Sequence, residues 1–184
     1  MKKLLVVLLA GAALVGAFAY VNSTEPGWYI RLRYPFRYQA IVRGHARNYH
    51  LDAALLAGVI YQESKFHAHA RSSSGAIGLM QLLPATAKGI AVHTGGSRFR
   101  VSDLDNPEIN VRYGSWYLRH LLDKYGDERT ALAAYNAGQE NVDEWRREGR
   151  GIACSETRHY VKRVERLKTL YRRGYAGELG TTSS

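Results

Sequence analysis

Behind Lys2 and Lys3, residues 4–21 form an apolar run without a single charge. Beyond it, apolar positions recur every three or four residues. Two-residue alternation is nowhere sustained, so the pattern predicts helices and no sheet. A first helix is expected over 36–49, with Ile41, Val42 and Ala46 on one side. Asp52 is placed to cap a second over 53–64. There Leu56, Val59, Ile60 and Glu63 fall at i, i+3, i+4 and i+7, which sets a carboxyl in line with an apolar row. Residues 65–77, with three Ser and Gly75, predict a loop. Pro84 suits the first turn of a short helix ending near Ala91. A second loop covers 94–105.

Asn106, Pro107 and Glu108 read as cap, first-turn proline and first-turn acid. The helix they open should run to about Tyr125, with Ile109, Tyr113, Trp116, Leu121 and Tyr125 along it, until Gly126 stops it. Asp127 opens another helix to Ala137, ended by Gly138. A polar helix is expected over 139–148. Ser155 should cap a last one to Arg172, with Tyr160, Val164, Leu167 and Tyr171 inward. The fold class is therefore all-α, with short helices and long loops after the second and third.

This pattern divides the chain into four parts. Residues 1–21 are a signal peptide or a membrane anchor helix. Ala17-Phe18-Ala19 resembles a cleavage site, but the run is long for a signal and about right for a span, which favours the anchor. Residues 22–35, with Pro26 and Gly27 as breakers, read as a linker. Residues 36–172 are the folded domain, and 173–184 a flexible tail.

Composition adds partners. Of 184 residues, 46% are hydrophobic, which fits a globular chain rather than a disordered one. The net charge of +10 implies attraction to a polyanion. Export by the apolar run turns that away from nucleic acid and towards an anionic membrane or cell wall. The single Cys154 rules out an internal disulfide framework, and it lies in no thiol-enzyme signature. The His residues make no paired ligand motif, so neither metal nor cofactor is expected. Gly75 to Gly78 matches no nucleotide fingerprint.

Glu63 is the leading candidate for chemistry. Burial beside the apolar row and the negative end of its helix both oppose ionisation. A carboxyl held protonated near neutral pH can act as a general acid. Glu63 could instead turn aside as a mere terminal polar residue. Glycoside hydrolysis wants a second carboxylate. Asp103, Asp105 and Glu108 are the alternatives, although each reads as a cap. Tyr160 is either core packing or the partner of a buried carboxyl, and Asn136 could simply cap its helix. Trp116 and Trp145 read as core or rim.

Four local patterns align in order: Glu63-Ser64; the loop Ser72 to Gly75 leading into Gly78-Leu79-Met80-Gln81 and Pro84; Ala134-Tyr135-Asn136-Ala137-Gly138; and Glu156-Thr157 with Tyr160-Val161. Together they resemble the lytic transglycosylase domain of the soluble type, similar in fold to goose-type lysozyme, over about residues 38–170. The resemblance implies that Glu63 is the sole catalytic carboxyl and that Ser72 holds a sugar acetamido group. It implies that Gly78, Met80 and Gln81 form the cleft, that Tyr135 and Asn136 contact substrate, and that Tyr160 hydrogen-bonds Glu63. The substrate implied is peptidoglycan, cut between N-acetylmuramic acid and N-acetylglucosamine to leave a 1,6-anhydro end. One carboxyl then suffices, because the substrate's N-acetyl group can attack C1 and its own tethered 6-hydroxyl can replace water. A lysozyme-like hydrolase or a non-catalytic wall-binding domain remains the alternative. A monomer is expected, on the outer face of the cytoplasmic membrane, or periplasmic or secreted if the signal is cleaved.

Overall fold

A computed structural model describes residues 2–180. Ten α-helices and one 3-10 turn make up its regular structure, and β-pairing among the described residues is limited to isolated bridges in the loop before Pro84. The helix α1 (Lys2–Thr24) stands outside the packed body, with large apolar side chains from Leu4 to Phe18, such as Val7, Leu9 and Leu14, exposed. It is long and apolar enough to cross a membrane, a test that a signal sequence also passes.

The centre of the body is α4 (Ala53–Ser64). Asp52 caps it by accepting from the Ala54 N–H at 2.8 Å. Every residue from Ala54 to Ile60 is buried, so this helix is enclosed on all sides rather than along one stripe. Its main neighbour is α9 (Ser155–Gly174), which runs antiparallel to it. Asp52 pairs with Arg172 at one end of the crossing, and Glu63 meets Tyr160 at the other. Between them Gly58 lies against the α9 backbone. A Cβ there would sit 3.2 Å from Lys168 N and 3.3 Å from Val164 O. The expected inward row of Tyr160, Val164, Leu167 and Tyr171 is buried throughout.

Around this pair pack α3 (Gln39–Asn48), α6 (Pro107–Tyr125), α7 (Glu128–Ala137) and α8 (Gln139–Arg147). Asn106 caps α6, and Gly126, in the left-handed region, ends it. Of the apolar residues noted along α6, Tyr113, Leu121 and Tyr125 are buried, and Ile109 and Trp116 are partly covered. Asn110, Val111, Gly114 and Leu118 are buried as well, because α6 is packed on two sides. A second, smaller core lies on its outer side. Ile77, Leu82, Ala87, Ile90, Leu104 and Tyr113 join α5 (Pro84–His93) and the 3-10 turn Val101–Asp105 to the outer side of α6.

The expected linker and the expected tail both contain helical structure. Residues 22–35 contain a helix, α2 (Gly27–Arg33), whose Ile30 is fully buried against Gly174. Pro26 does not break this segment but precedes its first turn, where a proline is tolerated. In the stretch 173–184, α10 (Ala176–Leu179) buries Leu179, and Tyr175 is buried before it. Residues 181–184 lie outside the described residues. Phe36, Phe66, Tyr61, Tyr171 and Tyr175 stack edge to face where α2, α4 and α9 meet.

The α4–α9 contact yields a direct test. Gly58→Val places methyl groups against Lys168 N, Val164 O and Leu167 Cβ, none of which can rotate away. It should lower unfolding stability by about 1–3 kcal/mol, read as a lower urea midpoint with an unchanged slope.

Candidate active site

The buried α4 delivers Glu63 to the floor of a cleft of about 330 Å³. The cleft opens along the seam of the two cores. Glu63 comes from the main core, Leu82, Leu83 and Thr86 from the α5 side, and Tyr117 packs against both. Burial drives the Glu63 pKa from 4.5 up to about 7, against a partial downward pull from the Tyr160 hydroxyl. That hydroxyl donates to Glu63 Oε1 at 2.5 Å. Burial and the facing carboxylate raise the pKa of Tyr160 itself, so it stays a donor. Near neutral pH, Glu63 is thus poised between acid and base.

The chain leaves α4 through two consecutive left-handed residues that are not glycine. Lys65 has φ 50° and Phe66 φ 63°. Such conformations cost of order 1–3 kcal/mol each unless the surroundings enforce them. Here burial of the Phe66 ring enforces the turn, immediately after Glu63-Ser64. The Ser64 hydroxyl lies 2.8 Å from Leu79 O and 3.1 Å from Ile60 O, tying the helix end to the following loop.

That loop is held from the other side by Asn110, which is fully buried. Its amide N–H groups donate to Ile77 O and Leu104 O, both at 2.9 Å. Its Oδ1 accepts from Met80 N at 2.8 Å. A Cβ on Gly78, whose φ is +82°, would fall 2.1 Å from Asn110 Nδ2, so the approach requires glycine. Met80 is buried against Gly114. Its carbonyl accepts from the Tyr135 hydroxyl at 2.8 Å. Gln81 donates to Ala70 O and Gly78 O and faces the cleft.

Of the residues singled out in the sequence, Glu63, Ser72, Gln81, Tyr135 and Asn136 line the cleft. Gly78, Met80 and Tyr160 stand behind it, as the backbone hinge, the packing under the loop and the donor to Glu63. Ser72 Oγ accepts from Ala76 N at 3.0 Å and lies 2.8 Å from Ser74 Oγ. Asn136 is not a cap, since Gly138 ends α7. Its Oδ1 accepts from Thr157 Oγ1 at 2.9 Å.

The alternative carboxylates are engaged away from the cleft. Asp103 accepts from Arg100 N at 2.8 Å. Asp105 pairs with Arg71 at 2.7 Å, which holds its pKa below the usual range. Glu108 pairs with His45 at 2.7 Å. None of the three is among the residues lining the cleft.

The sequence reading passed over Asn110 and Tyr117. A polar Asn one turn after the Asn106 cap, beside Val111 and Gly114, was the available sign of a buried hub. Tyr117 carried no such sign, because its importance comes from touching both cores.

The chain and its fold are similar to known proteins. The family model described as the transglycosylase SLT domain matches residues 40–154. A transglycosylase of Enterobacteria phage PRD1 is 43% identical over 90 residues, covering 49% of this chain and 31% of that protein. The soluble lytic murein transglycosylase of Salmonella typhimurium is 32% identical over 172 residues, covering 83% of this chain and 26% of that one. Membrane-bound lytic murein transglycosylase C of Histophilus somni is 35% identical over 144 residues, covering 72% and 40%. The fold is similar to that of the lytic transglycosylase Slt from Pseudomonas aeruginosa, solved as an inactive mutant. There the TM-score is 0.72 and the identity 32%, over 79% of this chain and 26% of that one. It is also similar to the 70 kDa soluble lytic transglycosylase of Escherichia coli. The TM-score is 0.75 and the identity 27%, over 85% of this chain and 27% of that one. The chain therefore spans only about a quarter to a third of the length of the first three curated relatives.

Two outcomes follow from the electrostatics of Glu63. Its folded pKa of about 7 lies above the 4.5 of an ordinary glutamate. Between these values the folded protein holds a proton that the unfolded chain releases, so stability falls as pH rises through this window and levels above it. The effect is about 3 kcal/mol. Glu63→Gln should therefore gain on the parent protein as pH rises through the window, read as a widening gap in Tm. Tyr160→Phe removes the donor that favours the carboxylate, so the Glu63 pKa should move up, as a carboxyl NMR titration would record.

Proposed function

The chain belongs to the transglycosylase SLT domain family, and on that premise we propose that it is a peptidoglycan lytic transglycosylase. It works as a monomer, exported and held by α1 at the outer face of the cytoplasmic membrane. Glu63, protonated, donates to the oxygen of the β-1,4 bond between N-acetylmuramic acid and N-acetylglucosamine. The leaving sugar takes that proton while the neighbouring N-acetyl oxygen bonds to C1. Glu63, now a carboxylate, removes the proton of the 6-hydroxyl as that oxygen attacks C1 and displaces the acetamido oxygen. The product is a 1,6-anhydro end, and Glu63 recovers its proton. No water is consumed and no cofactor takes part.

The observation that carries this reading is the isolation of Glu63. It is the one carboxylate among the described residues lining the cleft, and its pKa of about 7 suits it to both steps. A two-carboxylate hydrolysis would have to recruit Asp103, Asp105 or Glu108, all engaged elsewhere. In the proposed complex, Ser72 receives the acetamido group and Gln81 binds the sugar. Tyr135 and Asn136 form the wall, with Asn136 anchored through Thr157. Gly78 and Met80 keep the loop at its height, and Tyr160 orients Glu63.

The test is turnover on purified peptidoglycan with fragments weighed by mass spectrometry. Glu63→Gln should fold and bind glycan but lose cleavage by at least about 10²–10⁴. Asp103→Asn, Asp105→Asn and Glu108→Gln should each keep most activity. The parent protein should leave anhydro ends. Reducing ends, together with the loss of activity in any of those three variants, would make it a hydrolase instead.

A further inference from the structure

The segment joining α1 to the body is neither a loose stalk nor a fully covered one. Arg173 donates to Thr24 O at 2.9 Å and to Glu25 O at 3.1 Å. Arg166 pairs with the Glu25 carboxylate at 2.5 Å. Tyr29 donates to Asn22 Oδ1 at 3.3 Å. The end of α1 is thereby fastened to the end of α9. The short α2 that follows buries Ile30 against Gly174 and turns a different face outward. Trp28 and Leu32 stand one helical turn apart and are 61% and 77% exposed. Large apolar side chains exposed together on a folded body mark a contact surface. Arg33 follows Leu32 at the end of α2, over the Tyr34 ring, and Arg37 comes four residues later; both are exposed and without an ion pair among the described residues.

The dimensions say what covers this face. The uncharged stretch 4–21 is about 27 Å long as a helix, close to the roughly 30 Å of a bilayer's hydrocarbon. Thr24 then falls within the headgroup layer, which is about 5–8 Å deep. Trp28 follows after one short turn of chain. An exposed Trp and Leu flanked by arginines at that depth is the composition of a membrane interface, where indole rings settle and basic side chains meet anionic headgroups.

We propose that the Trp28–Leu32 face of α2, with Arg33 and Arg37, is a foot that rests in the headgroup layer of an anionic bilayer and fixes the tilt of the domain above it. This rests on the reading of α1 as an uncleaved span. The occupant is the bilayer that holds α1, and the charges that complement the foot are its acidic headgroups.

The experiment uses the full chain, inserted into phosphatidylglycerol vesicles carrying bromine at shallow or deep acyl positions, and measures tryptophan quenching. Trp116 and Trp145 serve as internal references. Shallow bromine should quench more than deep, and Trp28→Phe should abolish most of the quenching. Phosphatidylcholine vesicles, or Arg33→Glu with Arg37→Glu, should weaken it. Flotation with the vesicles is scored on the same samples. A protein that floats, yet quenches equally with and without Trp28, overturns the foot while leaving the span in place. A protein that does not float overturns both. Equal quenching in the two lipids overturns the role of charge. None of these readouts uses peptidoglycan cleavage, so the enzymatic reading stands or falls separately.

Discussion

The absence of a side chain at Gly58 is the constraint on which the site depends. It lets α4 come within van der Waals reach of the α9 backbone. Because the two helices run antiparallel, that contact sets their register. The same register that brings Gly58 to Val164 and Lys168 brings Glu63 to Tyr160, and at the other end Asp52 to Arg172. A wider crossing would leave the Tyr160 hydroxyl short of the carboxyl. It would also let water around Glu63, and an accessible glutamate titrates near its ordinary value. The raised pKa is thus a result of backbone packing, transmitted through about one and a half turns of helix.

The loop beyond Glu63 is governed by a second kind of constraint, the pairing of buried polar groups. Unpaired, the Leu104 carbonyl and the Met80 N–H would each cost about 1–3 kcal/mol. One side chain, Asn110, satisfies both and gives a second donor to the Ile77 carbonyl, which also accepts from the Leu82 N–H. Ser64 and Tyr135 add the Leu79 and Met80 carbonyls. Left-handed residues at Lys65, Phe66, Gly78 and Gln81 bend the chain so that these meetings occur. Rigidity here comes from polar bonds and enforced backbone, where a regular helix would have come from local periodicity.

This difference explains what the sequence could show. Helix bounds at Asp52, Asn106, Asp127 and Gly138 were legible because caps are written in single residues. Glu63 was legible from its helical register and its neighbours. Asn110 was not, because its partners are backbone groups thirty or more residues away or on another turn. The ordering of α2 was hidden as well. It rests on Ile30 packed against Gly174, on Arg31 paired with Glu178 and on the Arg31 carbonyl accepting from Tyr175, and Pro26-Gly27 is the pair that usually announces a break. The lining by Tyr117 reflects the meeting of two cores, which periodicity along one helix cannot express.

The junction at Thr24 has a consequence for reach. Arg173 and Arg166 hold the end of α1 to α9, so if α1 is the proposed span the body would have little slack to extend. A domain of this size has a radius of gyration on the order of 15 Å, so under the membrane reading its cleft sweeps a layer no deeper than the body itself. On the proposed activity, glycan lying within that layer would be met by lateral diffusion in two dimensions; glycan beyond it would not be met at all. The tether would then act as a ruler, selecting substrate by altitude before any sugar is recognised.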